Sequence, residues 1–358
     1  MEQGIYKISQ MSRDDIGDFE DVADETGLSR AQRQWLQVRG FPDSMDIELD
    51  NSQADYIEAD YIEADDWFYF DKSFMQAEMS KWQYPYHMID FETATVALPF
   101  YAGKRPYEAI AFQFSHHVMQ AEGIVHHAGE FLCTDSGVFP NYVFARALKA
   151  ELLHDNGSVF MWSHHENTIL STIIRQLSGD PQAPADKNEL IAFLKTLVKG
   201  GERAMIDLCT LAEKAYFHPD TKGSNSIKKV LPAVLKSSQY LKNRYSKPVY
   251  GAPNGIKSLN FSSINGFTWI EPNADGSVTE PYAKLKQYAK DLLPDGEMTV
   301  EDEASVIAEG GAAATAYARL QFESMSETTR LKINAALLRY CELDTLAMVM
   351  VTQAWQNF

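Results

Sequence analysis

The amino-acid sequence predicts an α/β protein in which a mixed β-sheet is flanked by helices. Three apolar segments follow one another between residues 86 and 132, joined by short glycine-containing connections, as in an antiparallel meander. Helical and strand-like segments then alternate along the chain, which is typical of the α/β class. The 358 residues are 45% hydrophobic and 23% charged, a composition that supports a large core and excludes disordered and collagen-like classes.

The period of the apolar residues predicts each element in chain order. Strands are predicted at residues 86–92, 107–118, 124–132, 157–162 and 205–208. Helices are predicted at residues 139–153, 165–177, 188–198, 227–235 and 327–353. The last helix carries apolar residues at helical spacing, among them Ile333, Leu337 and Leu343, and we expect it to pack on the sheet.

The N-terminal part of the chain is strongly acidic and is predicted to be an appendage. Residues 1–66 contain 18 acidic and 5 basic side chains, so they hold −13 of the total net charge of −18. They include the block Ala-Asp-Tyr-Ile-Glu twice, at 54–58 and 59–63. Such a segment is either a solvated acidic linker or an acidic strand that mimics nucleic acid or covers a basic groove. Residues 67–358 are predicted to form the main domain, with an irregular insertion at about 240–300.

The cysteines and the N-terminus predict a cytoplasmic protein. Cys133, Cys209 and Cys341 are odd in number and far apart, which fits buried thiols in a reducing compartment. The N-terminus lacks the basic and apolar segments of a secretion signal, and no window approaches the ~20 apolar residues that cross a bilayer. We therefore expect no membrane association.

The first candidate for chemistry is the pair Asp90 and Glu92 at the end of the first predicted strand. Because side chains alternate along a strand, both carboxylates project to the same side while Phe91 points away. Hard divalent cations prefer such paired oxygen ligands. The alternative is two solvated residues at a strand end, although the preceding apolar residues indicate a central strand.

Two further segments carry acidic groups near predicted buried elements. Tyr340 and Asp344 are spaced i, i+4 and so share one face of the last helix. Glu166 begins the helix that follows a buried strand, where the helix dipole favours a negative charge. The alternatives are a surface Asp344 on an amphipathic helix and a plain N-terminal helix carboxylate at Glu166. Asp207 is expected to cap a helix rather than to bind a ligand.

A basic stretch reverses the charge of the rest of the chain. Residues 221–270 contain eight basic and no acidic side chains. Near its start, residues that are basic or carry hydroxyls surround the beginning of a predicted helix and could bind a phosphate: Lys222, Ser224, Ser226, Lys228 and Lys229. A capped helix with exposed lysines is the alternative. Tyr240, Tyr245 and Tyr250 are interpreted either as stacking platforms for unpaired bases or as aromatic anchors of a loop.

These residues carry a resemblance to a known superfamily. Asp90-x-Glu92, Glu166 and Tyr340-x-x-x-Asp344 resemble the three exonuclease motifs in the tyrosine branch of the DEDD superfamily of 3′-to-5′ exonucleases. Longer motifs resemble an uncharacterised bacterial domain family that is placed in this superfamily and is often fused behind a RecB/Cas4-like nuclease domain. They lie at residues 90–93, 97–99, 106–107, 112–115, 222–232 and 340–345. The resemblance covers about residues 67–358.

The resemblance implies a fold, a site and an activity. The order of three strands, helix, strand and helix is the one that a ribonuclease-H-like sheet requires. Two Mg²⁺ or Mn²⁺ ions, ~4 Å apart, would be held by Asp90, Glu92, Glu166 and Asp344, and Tyr340 would orient the attacking water. The activity implied is metal-dependent 3′-to-5′ exonucleolytic hydrolysis of single-stranded or frayed DNA or RNA.

One departure from the superfamily pattern keeps an alternative open. Glu166 stands where the superfamily normally has Asp, and its side chain reaches about one methylene further, which Mg²⁺ geometry tolerates poorly. The alternative function is therefore a catalytically weak or inactive nucleic-acid-binding module of a repair or defence complex. An endonuclease is a third possibility.

Overall fold

The computed structural model describes residues 68–261, 263–271, 278–279, 281–285 and 310–358. These residues divide into two compact units. The larger unit comprises Trp82–Leu208 and the described part of Asn243–Met350, and the smaller one comprises residues 68–81, Cys209–Lys242 and Val351–Phe358. The predicted appendage, residues 1–66, and much of the predicted insertion at about 240–300 lie outside the described residues.

A mixed five-stranded sheet forms the larger unit, which confirms the predicted α/β class. Its strands are β1 (Tyr86–Thr95), β2 (Ala109–Met119), β3 (Val125–Leu132), β4 (Val159–Met161) and β5 (Ile206–Asp207). They lie side by side in the order β3, β2, β1, β4, β5. The first three strands form the predicted antiparallel meander, whereas β4 runs parallel to β1 and β5 runs parallel to β4.

Helices cover both faces of this sheet. They are α1 (Asn141–Leu152), α2 (His165–Gly179), α3 (Lys187–Leu197), α4 (Gly310–Phe322) and α5 (Glu327–Asn357). All except α4 coincide closely with predicted helices, and α5 belongs to the larger unit as far as Met350. None of the described helices has an apolar stretch long enough to cross a bilayer.

The central strand β1 is buried on both sides because each face of the sheet has its own apolar core. On one face, Phe91 and Phe114 pack edge-on against Phe144 of α1, with ring centroids 4.8 and 5.3 Å apart. On the other face, Phe112 stacks on Tyr317 of α4 at 4.1 Å. A strand in this position presents its polar side chains to protein rather than to solvent.

A β-bulge in β2 lies opposite Glu92 and Thr93 of β1. Glu92 pairs with Gln113 and Thr93 pairs with Ala111, so Phe112 is the extra residue. The bulge places Phe112 and Gln113 on the same side of the sheet, where the Gln113 amide donates to the carbonyl of Leu337 on α5 at 2.7 Å. Bulges bend a strand and change the direction of its side chains. Through this bulge Gln113, the partner of Glu92 in the sheet, reaches α5.

The smaller unit contains a short ribbon and several helices. Its strands Tyr69–Phe70 and Tyr216–Phe217 pair antiparallel. The predicted helix at 227–235 is present as Ile227–Ser237, and its Val230, Leu231 and Val234 are buried. The unit also contains the helix Lys72–Met79, the 3-10 turn Pro219–Thr221 and those parts of the helices Leu208–Ala215 and Gln239–Tyr245 that fall within Cys209–Lys242.

We expect Phe144→Ala to destabilise the larger unit by about 3–5 kcal/mol, because the ring is fully buried and its removal leaves a cavity among three other phenylalanines. Val143→Ala, one residue earlier on α1 at a side chain that is 37% exposed, should change stability by less than about 0.5 kcal/mol. Urea unfolding followed by near-ultraviolet circular dichroism measures both. Equal losses for the two variants would contradict the core assignment.

Candidate functional site

Three carboxylates from distant parts of the chain meet at the central strand. Asp90 and Glu92 come from β1 and Asp344 comes from α5, and one oxygen of each lies within 4.8 Å of the others. Glu92 and Asp344 are buried, and Asp90 is partly buried. The period of two along β1 puts the first pair on one side, and the packing of α5 on the sheet brings the third carboxylate to them.

Tyr282 and Cys341 hold this carboxylate cluster and were not predicted as site residues. The Tyr282 hydroxyl donates to Asp344 Oδ1 at 2.6 Å, and the Cys341 thiol lies 3.6 Å from Asp90 Oδ2. Burial, followed by the charge of Asp344, raises the pKa of Tyr282, so its hydroxyl stays protonated and donates. Burial and the Asp90 charge likewise raise the pKa of the Cys341 thiol. Tyr282 lies in a stretch without sequence periodicity, so no local signal could have identified it.

Tyr340 lies one helical turn before Asp344 and is buried beside the same carboxylates. Burial raises the pKa of its hydroxyl, and the charges of Asp344, Glu92 and Asp90 raise it further. The side chain is 3% exposed. A phenol in this surrounding stays neutral at any physiological pH, so it acts as a hydrogen-bond donor rather than as a base.

Glu166 is buried at the start of α2, next to the carboxylate cluster but outside the group of three. Burial raises its pKa well above the ordinary range, and the charges of Asp90 and Asp207 raise it further. Its side chain is 2% exposed, and its Oε2 has no hydrogen-bond partner among the described residues. A buried acceptor without a donor indicates that the site is completed by a proton or by a cation.

Asp207 also belongs to this neighbourhood, which the sequence did not indicate. It ends β5, and its Oδ1 accepts a hydrogen bond of 3.0 Å from the backbone N–H of Ser163, just beyond β4. Because β1, β4 and β5 are parallel, their carboxyl ends lie at the same edge of the sheet. The Asp207 carboxyl group therefore lies close enough to the site to contribute to the raised pKa of Glu166.

These groups fit a hard divalent cation. The ligand atoms are all carboxylate oxygens, which Mg²⁺ and Mn²⁺ prefer. Like charges at this separation repel strongly when they are desolvated. Cation binding would relieve this repulsion and supply a partner for the unpaired oxygen of Glu166.

The predicted phosphate-binding residues belong to the smaller unit. Lys222 adopts a left-handed conformation with φ of 49° at the end of the 3-10 turn. Ser226 precedes helix Ile227–Ser237 without a side-chain capping bond, and its N–H donates to Ser224 Oγ at 3.3 Å. Lys222 and Lys229 are exposed, and Lys228 is partly buried.

The interpretation of Tyr245 and Tyr250 as stacking platforms for bases is wrong, because both side chains are fully buried. Tyr250 packs edge-on against Trp269 and Phe261, with centroid distances of 5.7 and 5.8 Å. These tyrosines are therefore aromatic anchors of an irregular segment, which is the other interpretation of the pattern.

Comparison with known proteins gives one match. Residues 87–226 match the model of a family described as a domain of unknown function, DUF2779, which is less than half of the chain. The matched stretch includes Asp90, Glu92, Glu166 and Asp207 and ends before α5. No curated protein and no solved structure matches the chain.

The metal-free protein should lose stability as pH rises, in part because of Glu166. Its folded pKa is raised, so the folded state keeps a proton that the unfolded chain releases near pH 4.3, and the free energy of unfolding falls from there up to the folded pKa. Glu166→Gln lacks this titration. We therefore expect its stability advantage over the wild type to grow with pH in a chelating buffer.

Urea unfolding at a series of pH values measures this difference. Glu122→Gln serves as the control, because Glu122 is exposed in the turn between β2 and β3. Parallel stability curves for the wild type and Glu166→Gln would show that Glu166 is ionised in the folded protein.

Proposed function

We propose that the protein is a metal-dependent 3′-to-5′ exonuclease of single-stranded or frayed nucleic acid. The observation that carries the proposal is the convergence of Asp90, Glu92 and Asp344 from two ends of the chain, with Glu166 buried beside them. Clustering does not stabilise carboxylates at a surface, and burying carboxylates costs free energy unless a cation compensates their charge. Phosphodiester hydrolysis is the chemistry that uses closely spaced carboxylates to hold two divalent ions.

The sheet supports the proposal because its strand order agrees with a ribonuclease-H-like fold. Counted along the chain, the strands lie in the order 3-2-1-4-5, with the first three antiparallel and the last two parallel to the first. Such sheets place functional groups at the carboxyl end of the central strand. Asp90 and Glu92 lie in the central strand, and α5 brings Tyr340 and Asp344 to it.

In this proposal each side chain has a separate task. Asp90, Glu92, Glu166 and Asp344 would hold Mg²⁺ or Mn²⁺, and the bound metal would supply an activated water and neutralise charge on the leaving oxygen. The protonated hydroxyl of Tyr340 would orient the water or a phosphate oxygen by donating a hydrogen bond. Tyr282 fixes Asp344 in place by its own hydrogen bond.

Substrate and partners complete the proposal. Lys222, Ser224, Ser226, Lys228 and Lys229 would bind the phosphate backbone of DNA or RNA, for which their charge and backbone N–H groups are suited. We propose that the enzyme acts in the cytoplasm, with a RecB/Cas4-like nuclease domain or another repair or defence protein as its partner.

Asp90→Asn and Asp344→Asn should each lower the rate of strand shortening by roughly 10³-fold, because each removes a charge worth several kcal/mol to the transition state. The assay follows a 5′-labelled single strand in Mn²⁺ or Mg²⁺, and products should shorten stepwise from the 3′ end. Glu122→Gln, at an exposed carboxylate, should retain full activity.

Three outcomes bear on this test. An intact linear strand with folded wild-type protein under both metals would overturn the proposal. Cleavage of a circular single strand would make the enzyme an endonuclease. Equal activity of Asp344→Asn and the wild type would remove α5 from the active site.

Glu166 favours the second candidate, a weakly catalytic or inactive binding module, because its side chain is one methylene longer than that of Asp and its burial raises its pKa, and both effects weaken metal binding. Glu166→Asp separates the two. If the wild type is an exonuclease, we expect this variant to change the rate by less than about tenfold. A wild type that shifts the labelled strand in a gel without shortening it, while Glu166→Asp shortens it, would establish the binding module.

A further inference from the structure

A second cluster of metal-ligating side chains lies in the larger unit and shares no residue with the carboxylate cluster. It consists of His127 and Glu130 of β3 and Glu342 of α5, with one ligand atom of each within 4.8 Å of the others. His127 pairs with His117 and Gly129 pairs with His116, so the strand carries one extra residue between them. This bulge turns His127 and Glu130 to the same face of the sheet, although they are three residues apart.

A chain of hydrogen bonds starts at Glu342. It determines which of the surrounding groups donates and which accepts in each bond. The Tyr250 hydroxyl donates to Glu342 Oε1 at 2.5 Å, because a carboxylate that also accepts from Ser258 and Asn260 can only accept. The Tyr250 oxygen must then accept from His117 Nε2, which lies 3.0 Å away. With Nε2 as the donor, the other ring nitrogen of His117, Nδ1, is left as the acceptor that faces Thr345.

The same reasoning continues to His127. The Thr345 hydroxyl donates to His117 Nδ1 at 2.8 Å, and the Ser115 hydroxyl donates to Thr345 Oγ1 at 2.8 Å. Ser115 Oγ is then the acceptor for His127 Nε2, at 3.0 Å. In this assignment His127 Nδ1 is the nitrogen of the chain that is left without a hydrogen-bond partner, which agrees with its lack of one in the described structure.

In this direction of the hydrogen bonds the Nε2 of His127 carries a proton, and its Nδ1 faces a carboxylate. Nδ1 lies 3.2 Å from Glu342 Oε2, within ion-pair distance, yet it makes no hydrogen bond in the described structure. His127 and Glu342 are both fully buried. Two electron-rich atoms repel at this distance unless a proton or a cation lies between them.

The charge of the cluster distinguishes a cation from a proton. Glu342 and the partly buried Glu130 form no salt bridge with a lysine or arginine among the described residues. One proton on His127 would leave a net negative charge in the cluster, whereas a divalent cation would neutralise both carboxylates. The Asn260 amide bridges Glu130 Oε2 and Glu342 Oε2 at 2.5 and 2.8 Å, and turning this amide over would offer its oxygen as a fourth ligand.

We propose that His127, Glu130 and Glu342 form a binding site for a divalent transition-metal ion, of which Zn²⁺ is the representative. One imidazole nitrogen with two carboxylates suits Zn²⁺ and not Mg²⁺, which prefers oxygen ligands only. The hydrogen bond from His127 Nε2 to Ser115 is the outer contact that orients a metal-ligating histidine. Partial exposure of Glu130 gives the ion a route into the site.

The test is a titration of the chelator-treated full chain with ZnCl₂ by isothermal titration calorimetry. Asp90→Asn should retain the Zn²⁺ site, whereas His127→Gln and Glu130→Gln should weaken it roughly 10–100-fold or more. Replacement by Co²⁺ should produce visible d–d absorption in the wild type and Asp90→Asn that both cluster variants lose. Glu130→Asp keeps the charge and withdraws the ligand oxygen by one methylene, so its Zn²⁺ affinity should be intermediate. This variant tests the site even if the neutral variants do not fold.

The Zn²⁺ site does not depend on the nuclease function, because Zn²⁺ binding and strand shortening are measured separately. A wild type without saturable Zn²⁺ binding would overturn it, as would a site lost in Asp90→Asn and kept in Glu130→Gln. A ¹⁵N spectrum in which His127 stays protonated on both nitrogens in excess Zn²⁺ would overturn it too. Loss of strand shortening in Asp90→Asn with unchanged Zn²⁺ affinity would instead support two separate sites.

Discussion

The main constraint on the larger unit is that the negative charge buried at its central strand must be compensated. β1 is covered on both faces, yet it carries Asp90 and Glu92, and Asp344 lies against them. Moving carboxylates out of water is costly unless donors or cations compensate them. The surrounding groups supply part of that compensation, through the hydroxyl of Tyr282 and the thiol of Cys341, and the proposed metal ions would supply more.

Helix α5 connects the two clusters of acidic groups. Asp344 faces the carboxylates of β1, whereas Glu342 faces His127 of β3, so neighbouring positions of one helix serve both clusters. Thr345 and Tyr250 join the second cluster to the sheet by hydrogen bonds. The part of α5 that carries both Glu342 and Asp344 is buried throughout, from Tyr340 to Met350, so a displacement of this helix would disturb both clusters at once.

Much of this arrangement is visible in the sequence. The alternation along β1 places Asp90 and Glu92 together, and the i, i+4 spacing places Tyr340 and Asp344 on one helical face. The strands and most helices follow from the same periodicities. The pattern did not reveal Asp207, Tyr282 or the His127 cluster, because none of them lies in a local repeat that distinguishes it from an ordinary polar residue.

The sequence by itself therefore determined which side chains share a face of one element, since that depends only on the geometry of a helix or a strand. The tertiary structure alone decided which faces meet, and with them the burial of Glu166 and the direction of the hydrogen bonds around His117 and His127. Desolvation and proton position depend on every neighbour of a group. Those neighbours come from segments far apart in the chain, so no local pattern encodes them.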